Sequence, residues 1–255
     1  MFGFKKRRRR RLRDQPFPEA WRETLTAGVP YYRRLPETDR EELHGHIHVL
    51  LDEKNFEGCG GMRLDDAVRL AIAAHAGILL LHRETEYYPR LYSILVYPYD
   101  FIVEKLVHHE DDPLHVIGED VLSGEAWAQG AVILSWDGML KSVKHDRDGY
   151  NVAIHEFAHQ LDMENGPPDG FPYIRDRALR ADWARIMHAE FDRLQRDVDR
   201  GRATVLDDYA AEDPAEFFAV ATECFFEMPR RLQRRHPELY DVLRRFYCQD
   251  PTTLW

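Results

Sequence analysis

Between residues 65 and 81 apolar positions recur at three- and four-residue intervals, with Val68, Ala71, Ile72 and Leu79 in phase with His75 and more apolar residues around them. That period predicts a helix, and the apolar surround predicts that it is buried. Residues 18–29 and 37–51 also read as helices, the second opening after Pro36 with acidic residues in its first turn. Residues 55–62, with Gly58, Gly60 and Gly61, read as a turn-rich connector.

The period then shortens. Residues 93–97, 101–103, 114–117, 131–135 and 139–143 are β-branched or aromatic runs split by Pro, Asp and Gly, which predicts a small sheet of four or five strands. The run 131–135 is either an interior strand or an edge open to an extended peptide. Trp136-Asp137-Gly138-Met139 contains an Asp-Gly pair and predicts a hairpin. Helical spacing returns over 150–164, 178–197, 214–228 and 230–247. No repeat and no long internal linker interrupts the chain. The expected fold class is α+β, mostly helical, with one small mixed sheet in the middle, and residues 15–255 are expected to form one domain.

Composition is that of an ordinary globular chain, 44% hydrophobic and 31% charged. Charge is unevenly placed: Lys5, Lys6, Arg13 and the run Arg7 to Arg11 supply eight of the 35 basic residues, leaving 27 basic against 45 acidic elsewhere. An acidic body repels phosphate backbones, so nucleic acid is not an expected partner. Residues 1–14 are expected to be a flexible, solvated basic arm. The basic run is followed by Asp14-Gln15-Pro16-Phe17-Pro18-Glu19 rather than by an apolar segment, so no export is expected. The apolar stretch 71–81 is too short to span a bilayer and holds His75, so no membrane insertion is expected. Cys59, Cys224 and Cys248 are too few and scattered for a disulfide framework, and a reducing cytoplasm fits them.

The chemistry concentrates in Asn151-Val152-Ala153-Ile154-His155-Glu156-Phe157-Ala158-His159-Gln160-Leu161-Asp162, which contains His-Glu-x-x-His. Residues four apart on a helix share a face, so His155 and His159 can offer both imidazoles to one ion. Ile154, Phe157, Ala158 and Leu161 form an apolar stripe that holds the helix in place, and His155, Glu156, His159 and Asp162 form a polar one. Glu156 sits beside the metal position without binding it, as a general base should. Two histidines on an ordinary amphipathic helix would not account for that polar grouping.

Catalytic zinc takes a third protein ligand and leaves one position open. Position 165 is Asn, which rules out a third histidine ten residues after His155. Asp162 lies nearly two turns from His155 and is assigned to hydrogen-bond a ligand imidazole. Glu216, in Asp213-Pro214-Ala215-Glu216-Phe217-Phe218, has two readings of equal weight from spacing alone. It is the third ligand, or it completes a capping box with Asp213. Glu223, two turns later on the same face, either supports a ligand or is an ordinary exposed acid. His44 and His48 share a helical face and read as solvated, and His108-His109-Glu110-Asp111-Asp112 reads as a polar loop.

The segments His155-Glu156-Phe157-Ala158-His159-Gln160-Leu161-Asp162 and Tyr209-Ala210-Ala211-Glu212-Asp213-Pro214-Ala215-Glu216-Phe217-Phe218-Ala219 resemble the Mlc titration factor A family of zinc peptidases. The likeness runs from about Pro18 to the C-terminus and leaves the basic arm outside. It includes Val29-Pro30-Tyr31-Tyr32-Arg33, Phe56-Glu57-Gly58-Cys59-Gly60-Gly61 and Ser93-Ile94-Leu95-Val96-Tyr97-Pro98. The two metal helices also resemble those of anthrax lethal factor. The resemblance implies a zincin-like fold, one zinc ion, Glu216 as third ligand and Tyr209 at the active site, where spacing alone would leave Tyr209 a partly buried loop aromatic. It further implies peptidase activity on peptides or amino-acid amides, aminopeptidase-like, or alternatively a regulator that sequesters a transcriptional repressor of sugar uptake.

Overall fold

The computed structural model describes residues 2–99, 101–109, 112–122, 124–127 and 130–255, with side chains over 3–99 and 130–255. The segment expected to be a flexible arm is helix α1 (Phe2–Arg13). Two inward residues explain the difference, since Leu12 and Arg9 are only 8% and 6% exposed. The Arg9 guanidinium donates twice to the Glu53 carboxylate at 2.8 and 2.9 Å, and again to the Glu86 carboxylate and carbonyl. A fork of that geometry ties the helix to the body.

Helices α2 (Glu19–Gly28), α3 (Pro30–Arg34) and α4 (Glu37–Glu53) follow. On α4, His44 is buried and His48 partly so, contrary to the expected solvated surface, and His46 is buried too. Phe17 stacks on His44 at 3.9 Å and Tyr32 Oη lies 2.9 Å from its Nε2, so aromatic neighbours hide that face. Burial first, and Arg22 next, push His44 down to about 4. Burial also lowers His46, His48 and the fully enclosed His75. Depressed imidazoles stay neutral in the native state while the unfolded chain takes up protons. Stability should therefore fall as pH drops from about 6.5 through about 4 for the His44 contribution. A melting series in matched salt is expected to show a midpoint that declines across this window.

Strand β1 (Asn55–Gly58) replaces the expected turn-rich connector, because parallel pairing from Asn55↔Ser93 to Gly58↔Val96 recruits it to the sheet. Helix α5 (Asp66–Ile78) is capped by Asp65, whose side chain accepts from Val68 N, and it is buried as its sequence predicts. Strands β2 (Ser93–Tyr97), β3 (Phe101–His109), β4 (Asp112–Leu122), β5 (Gly124–Trp127) and β6 (Ala131–Ser135) follow. The main sheet has the order β1-β2-β6-β5, its first three strands parallel and β5 antiparallel. Strand β6 lies between β2 and β5, which makes it interior and removes it as a peptide-pairing edge. Strands β3 and β4 form a separate antiparallel ladder rather than joining that sheet. His108 and His109 end β3 and Asp112 opens β4, instead of a continuous loop, and Glu110 and Asp111 lie outside the described residues.

The Asp-Gly pair read as a hairpin opens helix α6 (Trp136–Lys144) instead. Ser135 Oγ accepts from Gly138 N at 3.0 Å, and this cap overrides the turn signal, so residues 139–143 are helix rather than strand. Helices α7 (Val152–Asp162), α8 (Arg177–Asp199), α9 (Pro214–Glu227), α10 (Pro229–Arg235) and α11 (Pro237–Tyr247) complete the chain. The helix expected over 230–247 is two, because Pro237 cannot continue α10 and starts α11.

Helix α9 runs through the core. Phe217, Phe218, Phe225 and Phe226 are each at most 1% exposed, and burial of each such ring contributes about 1.5–3 kcal/mol. Trp183 of α8 packs edge-on against Phe218. Helix α7 lies against α9, so the apolar stripe of each fixes the other's polar side. Among the described residues no helix is long and apolar enough to cross a membrane.

Candidate metal centre

Asn151 starts α7 by accepting from Ile154 N through its side-chain oxygen at 3.1 Å. The same side chain donates through Nδ2 to Glu227 of α9 at 2.9 Å, and its backbone N–H donates to the Glu223 carboxylate. One residue therefore caps one helix and pins it to the other. Glu227 is 5% exposed, and burial above all pushes its carboxyl up to about 9.

One turn into α7, His155 faces His159 with the two Nε2 atoms 3.1 Å apart. Glu216 reaches both rings from α9, at 3.0 Å from His155 Nε2 and 3.4 Å from His159 Nε2. Asp213 does cap α9, with its Oδ1 accepting from Ala215 N and Glu216 N, while the Glu216 carboxylate is turned to the imidazoles. Spacing could not separate these two roles for Glu216; in the structure its carboxylate faces the rings of α7. Glu223, 1% exposed, accepts from His155 Nδ1 at 2.7 Å, which leaves Nε2 as the atom that faces Glu216 and His159.

That arrangement suits a cation. Among the described residues, His155, His159 and Glu216 are the group able to hold a metal ion, with ligand atoms within 4.8 Å of one another. Two imidazole nitrogens and a carboxylate oxygen are a donor set that a zinc ion accepts. Burial opposes charge on His155, yet Glu223 and Glu216 hold its pKa well above the ordinary value. A field strong enough to retain a proton there also attracts a metal ion.

Glu156 is 4% exposed and lines the same cavity, of about 1270 Å³. Tyr209 sits on a single helical turn, Asp208–Ala211, opened by Asp207, which accepts from Tyr209 N at 2.9 Å. Its ring centre is 6.2 Å from that of His155, it is 40% exposed, and burial first, then Glu216, raises its phenol.

Asp162 takes a different place from the one expected. Its Oδ2 accepts from the backbone N–H groups of Asp169 and Gly170 at 2.9 and 2.7 Å, rather than from a ligand ring. Gly170 has φ +75°, its carbonyl accepts from Trp183 Nε1, and a Cβ on it would lie 2.3 Å from the Pro214 carbonyl oxygen. Asp162 thus holds the loop against which the first turn of α9, the turn carrying Glu216, is seated. Burial raises its carboxyl to about 6. Asn151, Glu227 and Gly170 were not singled out by sequence. Asn before an apolar helix is a cap signal, whereas a bond to a helix some 70 residues on leaves no local mark.

An uncharacterised protein of Synechocystis is 39% identical over 247 residues, 96% of this chain and 89% of that one. Mlc titration factor A of Serratia proteamaculans is 35% identical over 234 residues, 91% of this chain and 87% of its own, and that of Yersinia pestis is 33% identical over 91% and 84%. The family model described as glucose-regulated metallo-peptidase M90 matches residues 4–248, so the likeness, expected to begin near Pro18, takes in most of the basic helix. With its two metal helices in place and that match across nearly its whole length, the chain belongs to the glucose-regulated metallo-peptidase M90 family.

Proposed function

We propose that this metallopeptidase is a zinc-dependent peptidase that hydrolyses peptide or amino-acid amide bonds, with aminopeptidase-like preference for short substrates. The carrying observation is that His155, His159 and Glu216 meet across two helices with their ligand atoms within 4.8 Å. His155, His159 and Glu216 would hold the zinc, which would supply Lewis acidity toward a water molecule and the substrate carbonyl. Glu156 accepts the proton of the attacking water and delivers it to the leaving amine. Tyr209 donates a hydrogen bond to the oxygen on which charge develops, its raised pKa keeping the phenol protonated to do so. Glu223 fixes the His155 ring through Nδ1. Free thiols at Cys59, Cys224 and Cys248 support a cytoplasmic setting.

Metal analysis beside a peptide-library digest tests the reading. About one zinc per chain is expected, with cleavage lost on chelation and restored by zinc. Cleavage that survives complete metal removal would end it.

A second reading is favoured by the relatives called Mlc titration factor A. In it the chain acts by sequestering a transcriptional repressor, and hydrolysis is secondary. Capture of such a repressor by a chain carrying Glu156→Gln would support this reading, and absence of capture by either form would oppose it.

A further inference from the structure

We propose that helix α1 is a docking surface for anionic phospholipid membrane, on which the protein lies without spanning it. Helix α1 has two sides with different fates. Arg9 and Leu12 face the body, and Arg9 also lies over the Tyr87 ring at 4.7 Å. At about 100° per residue, Phe4, Arg7, Arg10 and Arg11 point the other way. All four are exposed, Phe4 at 81%.

Charge pairing divides along the same line. Lys5, Arg8 and Arg9 find partners in Asp52, Glu53 and Glu86. Among the described residues Arg7, Arg10 and Arg11 enter no ion pair. Like charges three and four apart on one helix repel each other, and an anionic surface removes that repulsion. The Arg9 fork holds the helix rigidly, so its outer face is presented without an ordering cost at the moment of contact.

Two kinds of polyanion carry the required charge, and Phe4 decides between them. An exposed aromatic ring on the arginine stripe, at the end of a helix, suits the boundary between headgroups and acyl chains, where basic side chains meet phosphate and the ring enters the apolar layer. Backbone contacts to a duplex make no use of such a ring.

Co-sedimentation of the full chain with vesicles tests this, comparing pure phosphatidylcholine with phosphatidylcholine containing phosphatidylglycerol at about 0.1 M salt. Binding is expected to the anionic vesicles alone and should weaken as salt is raised. Arg7→Glu, Arg10→Glu and Arg11→Glu together should weaken it about a hundredfold or more, since each basic residue near such a surface contributes roughly a fivefold factor. Their melting midpoint should stay unchanged or rise, because none of the three pairs with the body. Phe4→Ala should weaken binding several-fold at unchanged charge. Equal binding to uncharged vesicles, no binding to anionic ones, or full binding by the triple variant would overturn the proposal. So would a DNA duplex of about 20 base pairs held more tightly than the anionic vesicles by the same face.

Discussion

Glu156→Gln is expected to lower turnover about 10²- to 10⁴-fold while metal content stays at its wild-type level. The amide has nearly the shape of the carboxylate, so the packing of α7 is preserved, but it cannot take up a proton at physiological pH. His155, His159 and Glu216 lie on the ligand side and are untouched by the change. Metal analysis and single-turnover hydrolysis on one preparation separate the two quantities. Retained turnover would remove Glu156 from the proton-transfer role, and lost metal would show that it supports the ligands instead.

Glu216→Ala should cost more metal affinity than any change outside the three ligands, beyond the 10- to 100-fold typical of groups that merely support a ligand. The alanine removes the carboxylate that α9 offers to the ion and leaves two imidazoles on a single helix, with Glu223 still on His155 Nδ1. Asp162→Ala makes the informative contrast. It deletes the acceptor for two backbone N–H groups, those of Asp169 and Gly170, and so loosens the loop behind Pro214. Its expected signature is a lower melting midpoint with a smaller loss of zinc, read by competition against a chromogenic chelator in parallel with thermal unfolding. Were Asp162→Ala to release the ion more readily than Glu216→Ala, the third ligand would have been misassigned.

The sequence disclosed those parts of the fold that a local pattern encodes. Helix α7 was legible because the apolar stripe and the two histidines agree at one period, and α5 because its apolar residues outnumber what one face can hold. Where two local signals competed, pattern alone went wrong: Asp137-Gly138 is a turn pair, but Ser135 two positions before that pair captures Gly138 N and the chain continues as helix. Tertiary pairing supplied the rest. The four residues of β1 become a strand only because β2 runs beside them, and His44 is buried only because Phe17 and Tyr32 close over it. Within the site, both histidines could be found by spacing, whereas choosing among the acids required knowing where α9 lies. Asp162 shows the limit most plainly, since its distance along α7 fitted a contact with an imidazole and its bonds go to a loop.

Glu216 and Glu223 meet opposite nitrogens of the same His155 ring from one helix. Any slip of that helix by a single residue would swing both acids about 100° away together. An insertion or deletion in the stretch between them would instead swing one acid about 100° relative to the other, so the ring that both meet fixes their spacing along α9.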